Sequence, residues 1–108
     1  IFNRDEALRR FGDDAELLNA ILESSFEDIP VALVALAEGL QHAQHSDLQR
    51  QAHTIKGVAA NISAHRLRAL AADAEQLAKQ GDFAALAEQL PALQTAYAEL
   101  RDTVQQAI

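Results

Sequence analysis

The stretch Ala52–Ala64, AHTIKGVAANISA, holds the residue types best suited to chemistry. On a helix each residue advances about 100°. Measured from Leu48, the residues Ala52, Ile55, Ala59 and Ile62 fall within about 40° of one direction, the core side. His53 falls at about 140°, Lys56 at about 80°, Gly57 at about 180°, Ala60 at about 120° and Gln49 at about 100°. His53 therefore points away from the core. Around it stand a cation, a position without a side chain, a methyl group and an amide. A neutral imidazole nitrogen is a nucleophile near pH 7 and can attack phosphorus. Lys56 can then place its ammonium beside the phosphoryl oxygens. Gly57 removes a side chain that would crowd the ring or block a docking partner. Ala60 keeps the next turn flat, and Gln49 can hydrogen-bond the ring or the phosphoryl group. The competing reading is an ordinary surface histidine on a helix whose glycine serves close packing. Gly inside a helix costs about 1 kcal/mol against Ala, which favours a reason for its presence. The other histidines carry weaker signals. His42 and His45 with Glu38 have metal-ligand spacing, but no second ligand cluster follows, so a surface role is expected. His65 falls in the first turn of the next helix and flanks the site.

The elements that must position these residues read as helices. Asn3 with Glu6 has capping-box spacing for a short helix Asp5–Phe11, and Gly12 can stop it. Asp13 or Asp14 then caps a long segment. In it Leu18, Ile21, Leu22, Phe26, Ile29, Leu33, Leu36 and Leu40 form one apolar stripe, with Gly39 near its end and the polar run Gln41–His45 as the exit. Pro30 lies inside the stripe and predicts a kink near Asp28–Ile29. Ser46 with Gln49 repeats the capping-box spacing ahead of the His53 helix. Ser63 marks a break and a new N-cap. Leu67, Leu70, Ala71, Ala74, Leu77 and Ala78 follow on one face, with Gly81 as C-cap. Asp82 caps a last segment carrying Leu86, Leu90, Leu93, Tyr97, Leu100, Val104 and Ala107, in which Pro91 divides a lead-in helix from the main one. Four long amphipathic helices with short loops predict an all-α fold. The expected architecture is an antiparallel up-down four-helix bundle with a short extra N-terminal helix.

Composition agrees and sets limits. The chain has 108 residues, enough for a single domain over 1–108. Hydrophobic residues make up 49% and alanine alone 23 positions, against 4 Gly and 2 Pro, the profile of a helical protein with a core. Cysteine is absent, which excludes disulfides, thiolate metal sites and cysteine nucleophiles. Methionine is absent too, which predicts a piece of a longer polypeptide. No apolar run reaches the roughly 18 residues that span a bilayer, and no signal peptide is visible. A net charge of −7 argues against nucleic acid and anionic membrane as partners.

The run His53-Thr54-Ile55-Lys56-Gly57, followed by Ala59, Ala60, Asn61, Ile62 and Ala64, resembles the signature of histidine-containing phosphotransfer (HPt) domains. The similarity extends to Leu67, Leu70, Ala71 and Leu77, to Gly81-Asp82, to Phe26, Pro30 and Leu33, and to Ala7-Leu8 with Phe11-Gly12, so it covers essentially the whole chain. The resemblance implies that His53 accepts a phosphoryl group from a receiver-domain aspartyl phosphate and passes it to another receiver. It implies that Lys56 stabilises that group and that Gly57 keeps the site open. The domain would relay without a kinase activity of its own. It would bind no cofactor, the partner receiver supplying the acidic pocket and Mg²⁺. The resemblance also implies a cytoplasmic setting, as the C-terminal module of an inner-membrane hybrid sensor kinase. One position departs from the family: Ser63 stands where Gly is common, and Gly there would allow a left-handed turn.

Charge gives a separate indication. Ser46–Leu70 holds Arg50, Lys56, Arg66 and Arg68 against Asp47 alone, a local +3 that leaves −10 elsewhere. A basic docking face of Arg50, Arg66 and Arg68 would favour encounter with an acidic receiver. Rival functions are a dimerising kinase-associated bundle and a structural or adaptor bundle without chemistry. No Gly-rich nucleotide loop is present, so a kinase on its own is excluded. The apolar stripes are used up within one bundle, which predicts a monomer. A metal-binding bundle would need paired Glu-x-x-His motifs, which the sequence lacks.

Overall fold

The computed structural model describes residues 2–106. Five helices follow one another: α1 (Arg4–Arg10), α2 (Ala15–Gln41), α3 (Leu48–Asn61), α4 (His65–Gln80) and α5 (Phe83–Gln106). No strand occurs among the described residues. The molecule measures 42 × 21 × 18 Å. The 27 residues of α2 rise about 40 Å, so this one helix spans the long dimension. Each of the four long helices packs on the next, and α5 closes the ring against α2, which is the antiparallel four-helix bundle. The short α1 packs on α2 through the fully buried Ala7.

The apolar stripes make the core. Leu18, Ile29, Leu36, Leu48, Ile55, Ile62, Leu67, Leu86, Leu93 and Leu100 are all essentially inaccessible to solvent. Small residues let the helices approach. Ala52, Ala59, Ala71 and Ala74 are buried on the facing sides of α3 and α4. Gly39 is the tightest such point: a β-carbon there would lie 2.6 Å from Leu48 Cδ2 and 2.9 Å from the Gln44 carbonyl oxygen. Gln44 lies in the turn into α3 and Leu48 is its first residue, so Gly39 sets how closely α2 meets the start of the site helix.

Helix starts follow the expected capping in part. Asn3 Oδ1 accepts from the Glu6 N–H, and Asp14 Oδ1 from the Leu17 N–H, each at 3.0 Å. Asp82 Oδ1 accepts from the Ala85 N–H at 3.2 Å. The expected Ser46 box does not form. Asp47 occupies the N-cap of α3 and makes no capping bond, because its carboxylate takes Arg50 at 2.6 and 2.8 Å and Gln51 at 2.7 Å.

Four helix ends share one device. In each, an N–H bonds back five residues: Asp13 to Leu8, Gln44 to Gly39, Ala64 to Ala59 and Asp82 to Leu77, at 2.7–2.9 Å. This bond needs a left-handed residue just before the donor. Gly12 and Gly81 fill that place in two turns, but Ala43 and Ser63 fill it in the others, at φ +53° and +58°. Ser63 is therefore the left-handed residue closing α3, not the N-cap of α4. That cap is Ala64, which has no side chain able to bond.

Neither proline ends its helix. α2 runs unbroken through Pro30, and α5 is one helix through Pro91 rather than a lead-in and a main part. The N–H that Pro30 lacks would have met the Phe26 carbonyl. The Tyr97 hydroxyl donates to that carbonyl from α5 at 3.3 Å, and the two rings meet edge to face. The gap in α2 is thus filled from across the bundle.

Candidate functional site

α3 and α4 pack side by side, and the site forms on their shared outer surface. His53, Gly57 and Ala60 recur at four- and three-residue steps along α3 and share one exposed face. The His53 side chain is 64% exposed and Lys56 34%. Across from them, Glu75 of α4 is only 14% exposed. Its two oxygens are divided between the two α3 groups. Oε2 lies 2.7 Å from His53 Nδ1, and Oε1 accepts from Lys56 Nζ at 2.5 Å. The Lys56 hydrogen bond, and then that of His53, hold the Glu75 carboxyl below its ordinary range, against the opposing effect of burial. The carboxylate is ionised at neutral pH and is an acceptor only. No described residue bonds His53 Nε2, and the side chain as a whole is exposed.

Two surface features lie along this part of α3, and the imidazole lines the first of them. Ser46, Gln49, Arg50, His53 and Glu75 line a shallow depression. On the other side a groove runs between α2 and α3, bordered by Gly57, Val58, Ala60 and Asn61, by Ile21 and Asp28 of α2, and by Arg10 of α1. A β-carbon at Gly57 would meet nothing within 4 Å. The glycine therefore relieves no clash inside the molecule, and a methyl there would not touch the ring; what it leaves is bare backbone at the rim of the groove.

The expected site residues are brought together unevenly. His53, Lys56 and Gly57 form one cluster, with Ala60 one turn further on. Gln49 borders the depression but makes no hydrogen bond to the imidazole. Arg50 borders it too, and is held by Asp47, whose carboxyl its hydrogen bonds, ahead of those of Gln51, lower to about 2. Arg68 lies seven residues before Glu75, about two turns along the same face of α4, and is exposed. Arg66 lies nine residues before Glu75, half a turn round the helix, and pairs with Glu99 of α5 at 3.6 Å. The structure does not bring Arg66 to the His53 cluster. Glu75 had no place in the sequence reading: it lies 22 residues from His53, and only the antiparallel pairing of α3 with α4 brings the two together.

A surface imidazole flanked by a lysine and a bare glycine on a four-helix bundle is one observation; the match to a family model is the second. The model of the Hpt domain matches residues 16–103. The chain belongs to the Hpt domain family. Searches of curated proteins and of solved structures gave no match. Hpt domains are phosphotransfer modules of two-component phosphorelays, not kinases, and receiver domains are the kind of partner they meet. This Hpt domain carries, among the described residues, no group of three or more His, Cys, Asp or Glu able to hold a metal ion. His45 is instead stacked on Phe83, with ring centroids 3.7 Å apart. No helix among the described residues is long and apolar enough to cross a membrane.

Proposed function

We propose that His53 is the phosphoryl-accepting residue of this Hpt domain. It takes the group from an aspartyl phosphate on one receiver and gives it to an aspartate on another. The observation that carries this reading is the exposed imidazole with one ring nitrogen free, beside Lys56 and the bare backbone of Gly57. The free nitrogen attacks phosphorus and a P–N bond forms. The P–O bond to the receiver's aspartyl carboxylate breaks, and its electron pair leaves with that carboxylate. Onward transfer reverses the roles, so the domain needs no nucleotide and no metal of its own. The receiver supplies the acidic pocket and the Mg²⁺.

Lys56 reaches the phosphoryl oxygens from one turn along. An ammonium has three donors, and only one is used on Glu75. Gly57 and Ala60 keep the rim low where the partner approaches. Arg50 and Arg68 stand on this side of the bundle as steering charges for an acidic partner, an effect that salt screens. The small, mixed character of the face suits a transient contact by a monomer.

The test is transfer of labelled phosphate from a panel of phosphorylated receivers. The expected product on this chain is acid-labile and base-stable, as a phosphoramidate is. An acid-stable label, or no label from any receiver, would overturn the reading in favour of an adaptor bundle.

A further inference from the structure

We infer that the seam between α2 and α5 docks a basic amphipathic helix of a partner protein, on a side of the bundle that leaves the His53 face free.

α2 carries apolar residues that the core does not use. Val31 is 70% exposed and Val34 55%. Valine is a weak helix former, so neither helix stability nor solubility accounts for it at an exposed position. Single exposed apolar residues are ordinary on a protein surface, but these two continue into more apolar surface. Leu33, Val34 and Ala37 of α2 with Tyr97 of α5 line a depression, with Glu38 and Gln94 at its edge. A second depression lies further along the seam, between Leu22, Glu23 and Phe26 of α2 and Val104 of α5. The two repeat: Leu33, Val34 and Ala37 follow Leu22, Glu23 and Phe26 by eleven residues each. Eleven residues make three helical turns and rise about 16 Å. Phe26 lines one depression and Tyr97 the other, and their rings meet edge to face at 6.1 Å, joining the two into one apolar track.

Charge says what kind of helix fits. α2 holds Glu16, Glu23, Glu27, Asp28 and Glu38 and no Lys, Arg or His. Glu23, Glu27 and Glu38 are exposed, and among the described residues none of them is in an ion pair. Glu27, Val31, Val34 and Glu38 follow one another at helical spacing, so carboxylates flank the valines on one stripe. α5 offers one cation, Arg101 near Tyr97, among Glu88, Glu99 and Asp102. A second copy of the chain would set carboxylate against carboxylate, which is unfavourable. A helix with Lys or Arg beside its apolar stripe meets both the track and its acidic rim.

The side of the bundle decides what such a contact can do. Ala37, on the seam, lies half a turn round α2 from Asp28, which borders the groove next to α3. A helix on the seam therefore leaves the surface shared by α3 and α4 clear. One partner can hold the domain while the His53 face meets another.

Three labelled helical peptides serve as probes. Each has lysines flanking two leucine anchors, set seven, eleven or fourteen residues apart, spacings that keep both anchors on one face. Fluorescence anisotropy should show saturable binding, tightest at the eleven-residue spacing and weaker as salt rises. Glutamates in place of the lysines should abolish it. Val34→Asp should keep the helical signal and weaken binding by about tenfold or more. Glu27→Gln combined with Glu38→Gln should weaken binding and flatten its salt dependence, and decides alone if Val34→Asp does not fold. Methyl NMR should place the peptide-induced shifts at Val31 and Val34, not at Val58 of α3. No saturable binding, equal binding of the acidic peptide, or shifts centred on Val58 would each overturn the inference. A concentration-dependent dimer that Val34→Asp abolishes would overturn it in favour of a second copy. None of these readouts uses His53, so the outcome is independent of the acceptor assignment.

Discussion

Replacing Ser63 by glycine should stabilise the domain. Ser63 closes the site helix at φ +58°, and a left-handed residue with a β-carbon costs about 1–2 kcal/mol. Its side chain is fully buried, and its hydroxyl finds no hydrogen-bond partner. The Glu6 carboxylate bonds His65 Nε2 at 2.5 Å and does not bond this hydroxyl. A buried unpaired polar group costs about 1–3 kcal/mol. Against these gains, glycine adds about 0.4–1 kcal/mol of unfolded-state entropy. The small void left by the lost side chain costs up to about 1 kcal/mol more. The balance is a gain of about 2 kcal/mol, or a rise in Tm of about 10 °C for a domain of this size. Ala43→Gly is the control. It has the same left-handed backbone at φ +53°, but it is exposed and has no polar group. Its gain should be smaller, about 0.5–1 kcal/mol, because only strain is relieved and glycine's entropy opposes it. Urea unfolding of the three proteins gives the comparison. Equal gains for Ser63→Gly and Ala43→Gly would mean that the buried hydroxyl costs nothing. A loss at Ser63 would refute the reasoning altogether.

Three further outcomes are expected. Gly39→Ala forces a methyl against Leu48 and the Gln44 carbonyl, and backbone gives way poorly, so it should destabilise by about 1–3 kcal/mol in the same urea assay. Gly57→Leu meets open space and replaces a poor helix former, so Tm should hold or rise while transfer from a receiver falls; wild-type transfer would remove the open-rim argument. Asp47 is ionised more readily in the folded state than in the unfolded, from an ordinary 3.8 to about 2. Its contribution is present above pH 4 and lost as pH falls through that window, so Asp47→Asn should flatten the loss of stability measured between those limits.

Periodicity carried most of the fold: the stripe residues are buried or packed half-buried against the core, with Ala107 lying outside the described residues. The local signals divided according to where their partners lie. Asn3, Asp14, Gly12 and Gly81 act on residues a few positions away, and their roles are legible in sequence. Ala43 and Ser63 adopt the same left-handed turn without glycine, because the bond to the carbonyl five residues back holds them there. Pro30 is legible as a missing donor in α2, but the hydroxyl that bonds the freed Phe26 carbonyl comes from Tyr97 on another helix, which no local rule supplies. The site shows the same division. His53, Lys56 and Gly57 share one helix, so angular arithmetic places them together. Glu75 lies on another helix, and no spacing rule connects it to His53. Arg66 carries the expected charge but faces α5, a direction that charge counting cannot resolve.

His53→Gln removes the residue proposed to carry the phosphoryl group. Glutamine keeps a polar side chain on an exposed helical position, so the fold should survive, checked by an unchanged helical signal. Wild type and variant are each incubated with a receiver whose aspartate carries labelled phosphate. The expected result is label on the wild type and none on His53→Gln. Undiminished label on the folded variant would contradict it.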